Sequence, residues 1–104
     1  MTSVVIEAFR PVERNTLRGF ARVRFPSGLI LDEVGIHVAA ADGHAWANPP
    51  GRPMVAADGV AVRDQRTGKI RYQGLIAFST VDIRNAWSDA IVEAVREKHP
   101  EALR

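Results

Sequence analysis

A run of alternating residues from Leu17 to Phe25 places the strongest restriction on how this chain can fold. Small or apolar side chains occupy every second position, and arginines with one phenylalanine occupy the positions between them. Period-two alternation of this kind predicts a half-buried antiparallel strand with one wet face. The predicted inner face carries Leu17, Gly19, Ala21, Val23 and Phe25, and the outer face carries Arg18, Phe20, Arg22 and Arg24.

Turn residues on either side of this strand predict that it belongs to a series of hairpins. Pro26-Ser27-Gly28 favours a turn into a second strand that runs from Leu29 to Val38, with a bend at Asp32-Glu33. Asp42-Gly43 predicts a two-residue type I′ turn into a strand that contains Trp46. Two further strands are expected at Val4–Phe9, ending near Pro11, and at Leu75–Phe78.

The clearest prediction is a helix near the end of the sequence. Ser79 and Thr80 are both suitable N-caps, and Asp82, three residues after Ser79, is a weaker form of the capping box. Pro100 is expected to end the helix. The apolar stripe is predicted to contain Ile83, Trp87, Ala90, Ile91, Ala94 and Val95, and the wet face Arg84, Ser88, Asp89, Glu93, Arg96 and Glu97.

These elements predict one α+β domain over residues 1–104, with an antiparallel sheet of about four to six strands and one C-terminal helix. The composition, 46% hydrophobic and 25% charged, is that of a soluble globular protein. There is no cysteine, no signal-peptide pattern and no apolar run long enough to span a membrane. We therefore expect a cytoplasmic protein without disulfides or thiolate metal sites.

Positive charge is concentrated in the middle of the chain. The total net charge is only +2, and residues 1–48 are neutral. Residues 49–73 begin with a proline-rich stretch, and they are expected to form a long loop or an irregular hairpin of 60–63 against 69–72. This segment has a net charge of +3, from Arg52, Arg63, Arg66, Lys69 and Arg71 against Asp58 and Asp64.

The order of these segments resembles the bacterial septation protein SpoVG family over roughly residues 3–98, apart from the loop. The resemblance is carried by Leu17-Arg18-Gly19-Phe20-Ala21-Arg22-Val23, by Leu29-Ile30-Leu31 before Asp32-Glu33-Val34, by Ala47-Asn48-Pro49 with Arg52 just beyond, and by Arg84 with Asp89-Ala90-Ile91. It implies an antiparallel sheet with a C-terminal helix, a homodimer, and regulatory binding of DNA or RNA through basic residues near the helix start.

Two basic positions of that family are carried over to this chain, Arg84 near the helix start and Arg52 after the prolines. Where the family commonly has threonine, arginine, glycine and lysine, this chain has Ile83-Arg84-Asn85-Ala86 and so lacks the lysine. The basic 49–73 segment could compensate for that loss, or it could serve a different purpose.

Each cationic group also has a simpler interpretation. Arg18, Arg22 and Arg24 could track a phosphate backbone, with Phe20 stacking on a base, or they could form an ordinary solvated sheet face. The loop cations Arg63, Arg66, Lys69 and Arg71 could enter a groove of a nucleic acid or belong to a polar turn. An alternative function for the whole chain is a non-catalytic protein-interaction or oligomeric assembly module, which could recruit a second chain at a sheet edge left open after Trp46.

Catalytic and metal sites are not predicted. His37 and His44 are expected at opposite ends of one ladder, His37 opposite Asn48 and His44 opposite Ala41, too far apart to share an ion. Asp32 and Glu33 are expected on opposite faces of a strand, which is poor geometry for a carboxylate pair. The sequence therefore implies no enzyme activity and no cofactor.

Overall fold

The alternation in residues 17–24 produces a central strand of a four-stranded antiparallel sheet in the computed structural model, which describes residues 4–103. The strands are β1 (Val5–Arg14), β2 (Leu17–Arg24), β3 (Ile30–Val38) and β4 (Ala45–Asn48), and their order in the sheet is β1-β2-β3-β4. A separate two-stranded sheet contains β5 (Gly51–Pro53) and β6 (Tyr72–Gly74). Helix α1 (Val81–Lys98) and a 3-10 turn (Pro100–Leu103) follow. The predicted α+β class with one C-terminal helix is confirmed.

The core lies between one face of the four-stranded sheet and α1. It is formed by Ile6, Ala21, Val23, Val34, Ile36, Ala47, Ile91, Ala94 and Val95. Gly19 belongs to the same face and permits an unusually close approach of β1. A Cβ atom there would lie 2.4 Å from Phe9 Cζ and 2.6 Å from the Arg10 carbonyl oxygen. Any side chain at Gly19 would therefore force β1 away from β2.

Strand β1 does not end at Pro11, so that prediction is wrong. Pro11 pairs with Gly19 inside the ladder, and the strand continues to Arg14. Because β1 is at the edge of the sheet, a residue without an N–H is tolerated there.

The bend predicted at Asp32-Glu33 is confirmed. The β2–β3 register shifts between Ala21 and Val23, opposite this pair, and Glu33 has φ of 58°. The same irregularity overturns the prediction that Asp32 and Glu33 point to opposite faces. Both line one pocket on the outer face of the sheet, because the extra residue of a bulge resets the alternation.

The Asp42-Gly43 hairpin forms, but its predicted register is wrong. Ala39 pairs with His44 through a 2.8 Å hydrogen bond, so the loop contains four residues, 40–43, and only Gly43 among them has positive φ. The Asp42 carboxylate accepts the His44 N–H at 2.9 Å, which stabilises the longer turn. His37 consequently lies opposite Trp46 and not opposite Asn48.

The helix begins where Thr80 accepts a hydrogen bond from the Ile83 N–H at 3.1 Å. Asp82 is therefore the second helical residue, and the predicted capping box with Ser79 is absent. Ile83 is 51% exposed, so its place in the apolar stripe was wrongly predicted. Ser88, predicted on the wet face, is buried, and its hydroxyl accepts the Ala47 N–H at 2.8 Å. This contact covers part of the β4 edge. Lys98 is the last helical residue, as expected before Pro100.

No strand forms over residues 75–78, which contradicts the prediction for that segment. The β5–β6 ladder stops at the Gly51–Gly74 pair. The next residue of the β5 side, Pro50, has no N–H to donate, although the Pro50 carbonyl accepts the Leu75 N–H at 3.2 Å. Phe78 packs instead against Trp87, with ring centroids 5.2 Å apart. Among residues 4–103, no helix is long and apolar enough to cross a membrane.

Candidate nucleic-acid interface

The segment from Gly51 to Gly74, here named the β-arm, is built almost entirely from backbone hydrogen bonds and turns. Its root is the β5–β6 pair, and beyond it the Met54 N–H donates to the Arg71 carbonyl, while the Val62 N–H donates to the Met54 carbonyl. Beyond this junction lie two short hairpins, which turn at residues 57–59 and 64–68. The predicted irregular hairpin of 60–63 against 69–72 is confirmed by the Arg63–Ile70 bridge and the bond from Arg71 N–H to the Val62 carbonyl.

No residue of the β-arm is buried. Its side chains are therefore exposed or half-exposed, and it contributes nothing to the hydrophobic core described above. An element that adds no buried apolar area to the core adds little to its stability. The arm is consequently free to vary its surface chemistry without cost to the fold.

Most cations of the β-arm have no partner. The side chains of Arg52, Arg66, Lys69 and Arg71 make no hydrogen bond or ion pair within residues 4–103. Arg63 donates to the Gly68 carbonyl at 2.9 Å and so fixes the base of its hairpin. Arg52, Arg66 and Lys69 are thus free to meet an external anion, and Arg71 interacts with the Asp64 carboxylate through its charge only, without a hydrogen bond.

The two acidic residues of the β-arm shape its turns, and the Asp64 carboxylate also lies within electrostatic reach of Arg71. Asp58 accepts the Val60 N–H at 3.0 Å, and Asp64 accepts the N–H groups of Arg66 and Thr67 at 2.8 and 3.0 Å. The hydrogen bond from Thr67, followed by that from Arg66, lowers the pKa of the Asp64 carboxyl below its ordinary value. Asp64 therefore stays ionised and holds the basic turn in shape.

Arg84 lies beside the root of the β-arm. It is in the first turn of α1, and its guanidinium donates to the Asn48 side-chain oxygen at 3.4 Å, three residues before β5 begins. It lines a groove with Pro49, Phe78 and Thr80. The two positions carried over from the family resemblance, Arg52 and Arg84, are therefore both near the junction of arm and body.

The sheet arginines differ from the arm cations because their charges are compensated. Arg22 pairs with Asp32 at 2.6 Å and with Glu7 at 3.2 Å, and Arg24 pairs with Glu7 at 2.9 Å. Arg18 donates instead to the carbonyls of residues 15 and 17, at 2.9 and 3.2 Å. The predicted stripe is present on the outer face, but carboxylates from β1 and β3 already satisfy most of it.

Next to this stripe, between the outer face of the sheet and the root of the β-arm, is a pocket of about 490 Å³. Phe20 and Tyr72 are its aromatic residues, Gly35 is buried beneath it, and His37 and Asn48 supply polar groups. Phe20 was predicted from the sequence as a stacking residue, whereas Tyr72 was not. The available signal was an aromatic residue directly after Arg71 in a polar segment.

Two of the three histidines stack on the same aromatic side chain. His37 and His44 both stack on Trp46, with centroid distances of 5.2 and 6.1 Å, whereas His99 stacks on Phe9 at 5.1 Å. Burial, with a smaller contribution from the charge of Arg18, lowers the pKa of His37, so its imidazole is neutral at neutral pH. Within residues 4–103, no cluster of three or more histidine, aspartate or glutamate side chains is arranged to hold a metal ion.

Asp32 and Glu33 share a face, which the sequence analysis did not predict, but each has its own arginine. Asp32 pairs with Arg22, and Glu33 pairs with Arg10 at 3.2 Å. This arrangement gives no support to an acid–base role for the pair.

Comparisons of the chain with protein-family models, with curated proteins and with solved structures found no match.

Proposed function

We propose that this protein is a SpoVG-like regulatory protein of the cytoplasm that binds DNA or RNA, with the β-arm and Arg84 as its main contacts. The single observation that carries the proposal is the set of unpartnered cations on an exposed arm without a core. Like charges held on one short exposed segment repel one another, and a bound anion offsets that repulsion. A nucleic-acid backbone is a polyanion with charges at regular short spacing, and it fits such a segment.

Phosphate contacts supply most of the affinity in this proposal. Arg66 and Lys69 lie at the distal turn, whereas Arg52, Arg71 and Arg84 lie at or near the root, so the cations extend along the arm. The paired sheet arginines Arg22 and Arg24 contribute less, because a phosphate would have to displace Glu7 or Asp32. The lysine missing after Arg84 is replaced functionally by the cations of the arm.

The experiment is a fluorescence-anisotropy titration of a mixed-sequence oligonucleotide at low salt, with DNA and RNA in separate arms. The test variant combines Arg66→Gln, Lys69→Gln, Arg71→Gln and Arg84→Gln. A control variant with Arg22→Gln, Arg24→Gln, Arg96→Gln and Lys98→Gln removes the same net charge from side chains that are ion-paired or hydrogen-bonded within the body. We expect the test variant to lose at least about 10-fold in affinity and the control to lose much less. Absence of binding by the parent protein, or equal losses in the two variants, contradicts the proposal.

A second candidate function is an oligomeric assembly module, either a homodimer or a complex with another protein. The observation in its favour is apolar exposure on the hairpin that turns at residues 57–59, where Val55 is 60% and Val60 is 62% exposed. Such side chains are suited to packing against a second chain. Sedimentation velocity with and without oligonucleotide separates the candidates. An assembly module oligomerises and leaves the oligonucleotide free, whereas a nucleic-acid binder sediments together with it.

A further inference from the structure

The pocket lined by Phe20 and Tyr72 has room for one flat aromatic group. Its floor is Gly35, which is buried and carries no side chain. A Cβ atom there would lie 3.1 Å from His37 Nε2 and 3.9 Å from Asn48 Cβ, so glycine is what keeps the floor low. The volume of about 490 Å³ is in the range of small-ligand sites, which is roughly 300–1,000 Å³.

Its aromatic residues are accessible. Tyr72 is 65% exposed, although an aromatic ring gains most from burial, and Phe20 is half-buried. Phe20 already carries a cation on one side, because the Arg10 guanidinium lies 5.2 Å from the ring centroid. A second aromatic group placed against these rings would gain stacking energy and remove apolar surface from water.

The charges near the pocket lie at its rim. The carboxylate in the lining is Glu33, and it is held by Arg10 at 3.2 Å. Arg71 directly precedes Tyr72 and Arg52 faces Gln73, so alternation along the paired strands places both arginines on the face opposite Tyr72, outside the lining. A strand whose base enters the pocket therefore meets these arginines with phosphates that lie outside the pocket, at the root of the arm.

Two polar side chains of the lining could contact the edge of a base. His37 Nδ1 lies 3.0 Å from the Thr16 hydroxyl, and Nε2, near the Gly35 floor, has no hydrogen-bond partner among residues 4–103. The imidazole is neutral at neutral pH because burial lowers its pKa, so Nε2 can donate or accept according to the tautomer. The amide of Asn48 also lines the pocket.

We infer that this pocket receives one unstacked base of a single-stranded nucleic acid, with Phe20 and Tyr72 as the stacking residues. The inference rests on the proposed function and narrows it. Bases of a duplex are already stacked and paired, and a base must leave the stack before it can enter a protein pocket. Single strands offer their bases without that cost, so the protein prefers single-stranded to double-stranded ligands of equal charge.

The test uses three labelled probes of about 12 nucleotides, within the usual size of single-strand binding sites. The first is an ordinary single strand, made both as DNA and as RNA. The second is a DNA strand of the same length in which abasic sites replace the bases, and the third is the DNA strand paired with its complement. The variants are Phe20→Ala and Tyr72→Ala, with Tyr72→Phe to retain the ring. Leu29→Ala is the matched control, because Leu29 is an exposed apolar residue outside the pocket lining. Urea unfolding of each variant verifies that it is folded.

We expect Phe20→Ala and Tyr72→Ala each to weaken binding of the ordinary single strand about 10-fold, since one stacked base is lost. Tyr72→Phe and Leu29→Ala should remain within about 2-fold of the parent. On the abasic probe the parent should bind weakly and the alanine variants no more weakly, because that probe has phosphates but no base to stack.

Two results overturn the inference in different ways. If both alanine variants bind the ordinary strand as the parent does, or if they weaken binding of the duplex as much as binding of the single strand, the base pocket is refuted. Weakening by the neutralised arm variant in the same assay would then show that the proposed function survives. If the parent binds none of the probes at low salt, the proposed function and this inference fail together.

Discussion

Deletion of the β-arm should separate binding from folding. Gly51 and Gly74 are cross-strand partners, so residues 52–73 can be replaced by an Asn-Gly turn that joins them directly. Since no residue of the arm is buried, the deletion removes little of the apolar surface that stabilises the core. The shortened protein should therefore keep its sheet and helix.

The size of the effect follows from loop closure. Shortening a connection of 22 residues to two reduces its closure cost by about (3/2)RT ln 11, roughly 2 kcal/mol, although a two-residue turn is too stiff to gain all of it. The lost arm contacts act in the opposite direction. We therefore expect the free energy of unfolding to change by no more than about 2 kcal/mol in either sense.

Urea denaturation followed by far-UV circular dichroism measures this change, and the oligonucleotide titration measures binding of the same protein. The expected outcome is a folded domain with greatly weakened binding. A deletion variant that is unfolded, or that loses more than about 4 kcal/mol, would refute the reasoning, because it would mean that the arm is part of the folding unit.

Three further predictions concern the body of the domain. Ile91→Ala should lower the free energy of unfolding by about 2–5 kcal/mol, because Ile91 is fully buried. Leu29→Ala, at a 56% exposed site, should change it by less than about 0.5 kcal/mol, and urea midpoints measure both variants. Thr80→Ala should cost about 1 kcal/mol by removing the helix cap, and Ser79→Ala almost nothing, and thermal unfolding of the two variants would contradict the cap assignment if they were equal. The pKa of His37 is lowered on folding from its ordinary value of 6.5, so the unfolded chain binds the proton more readily than the folded protein does. The contribution of His37 to stability should be complete above about pH 6.5 and should decline as the pH falls below that value. Urea unfolding across this pH range measures the decline, which should be shallower in His37→Gln.

Local signals in the sequence correctly predicted the strand, the turn and the helix start that depend on neighbouring residues. Alternation located β2, Pro26-Ser27-Gly28 located the turn between β2 and β3, and Ser79-Thr80 before an apolar stripe located the start of the helix. These features depend on side chains within a few positions of one another, which is the range over which turn and capping chemistry acts.

The errors arose where a distant or competing contact decided the outcome. Asp42-Gly43 was predicted as a two-residue turn, but the Asp42 carboxylate favours a longer one by accepting the His44 N–H. Ser88 was assigned to the wet face because its partner, the Ala47 N–H, lies 41 residues away in the sequence. Both contacts are outside what a periodic pattern records.

The candidate site shows the same division. Composition located the basic segment correctly, because charge can be counted without knowledge of the fold. Composition does not predict which arginines are ion-paired. Glu7, for example, is 17 residues from Arg24 along the chain and contacts it only because of the β1–β2 register. The pocket required Phe20 and Tyr72 to be brought together from different sheets, and no local pattern predicts that.

The most direct test of the account is the salt dependence of oligonucleotide affinity. The slope of log K against log salt concentration counts the phosphates that protein cations neutralise, at roughly 0.7 per contact for a single strand. Removing three arm cations, Arg66, Lys69 and Arg71, should make the slope shallower by about 2, while the equal charge removed at Arg22, Arg24 and Arg96 should leave it close to that of the parent. Identical slopes for the parent and the arm variant would contradict the claim that the unpartnered cations of the arm bind the backbone.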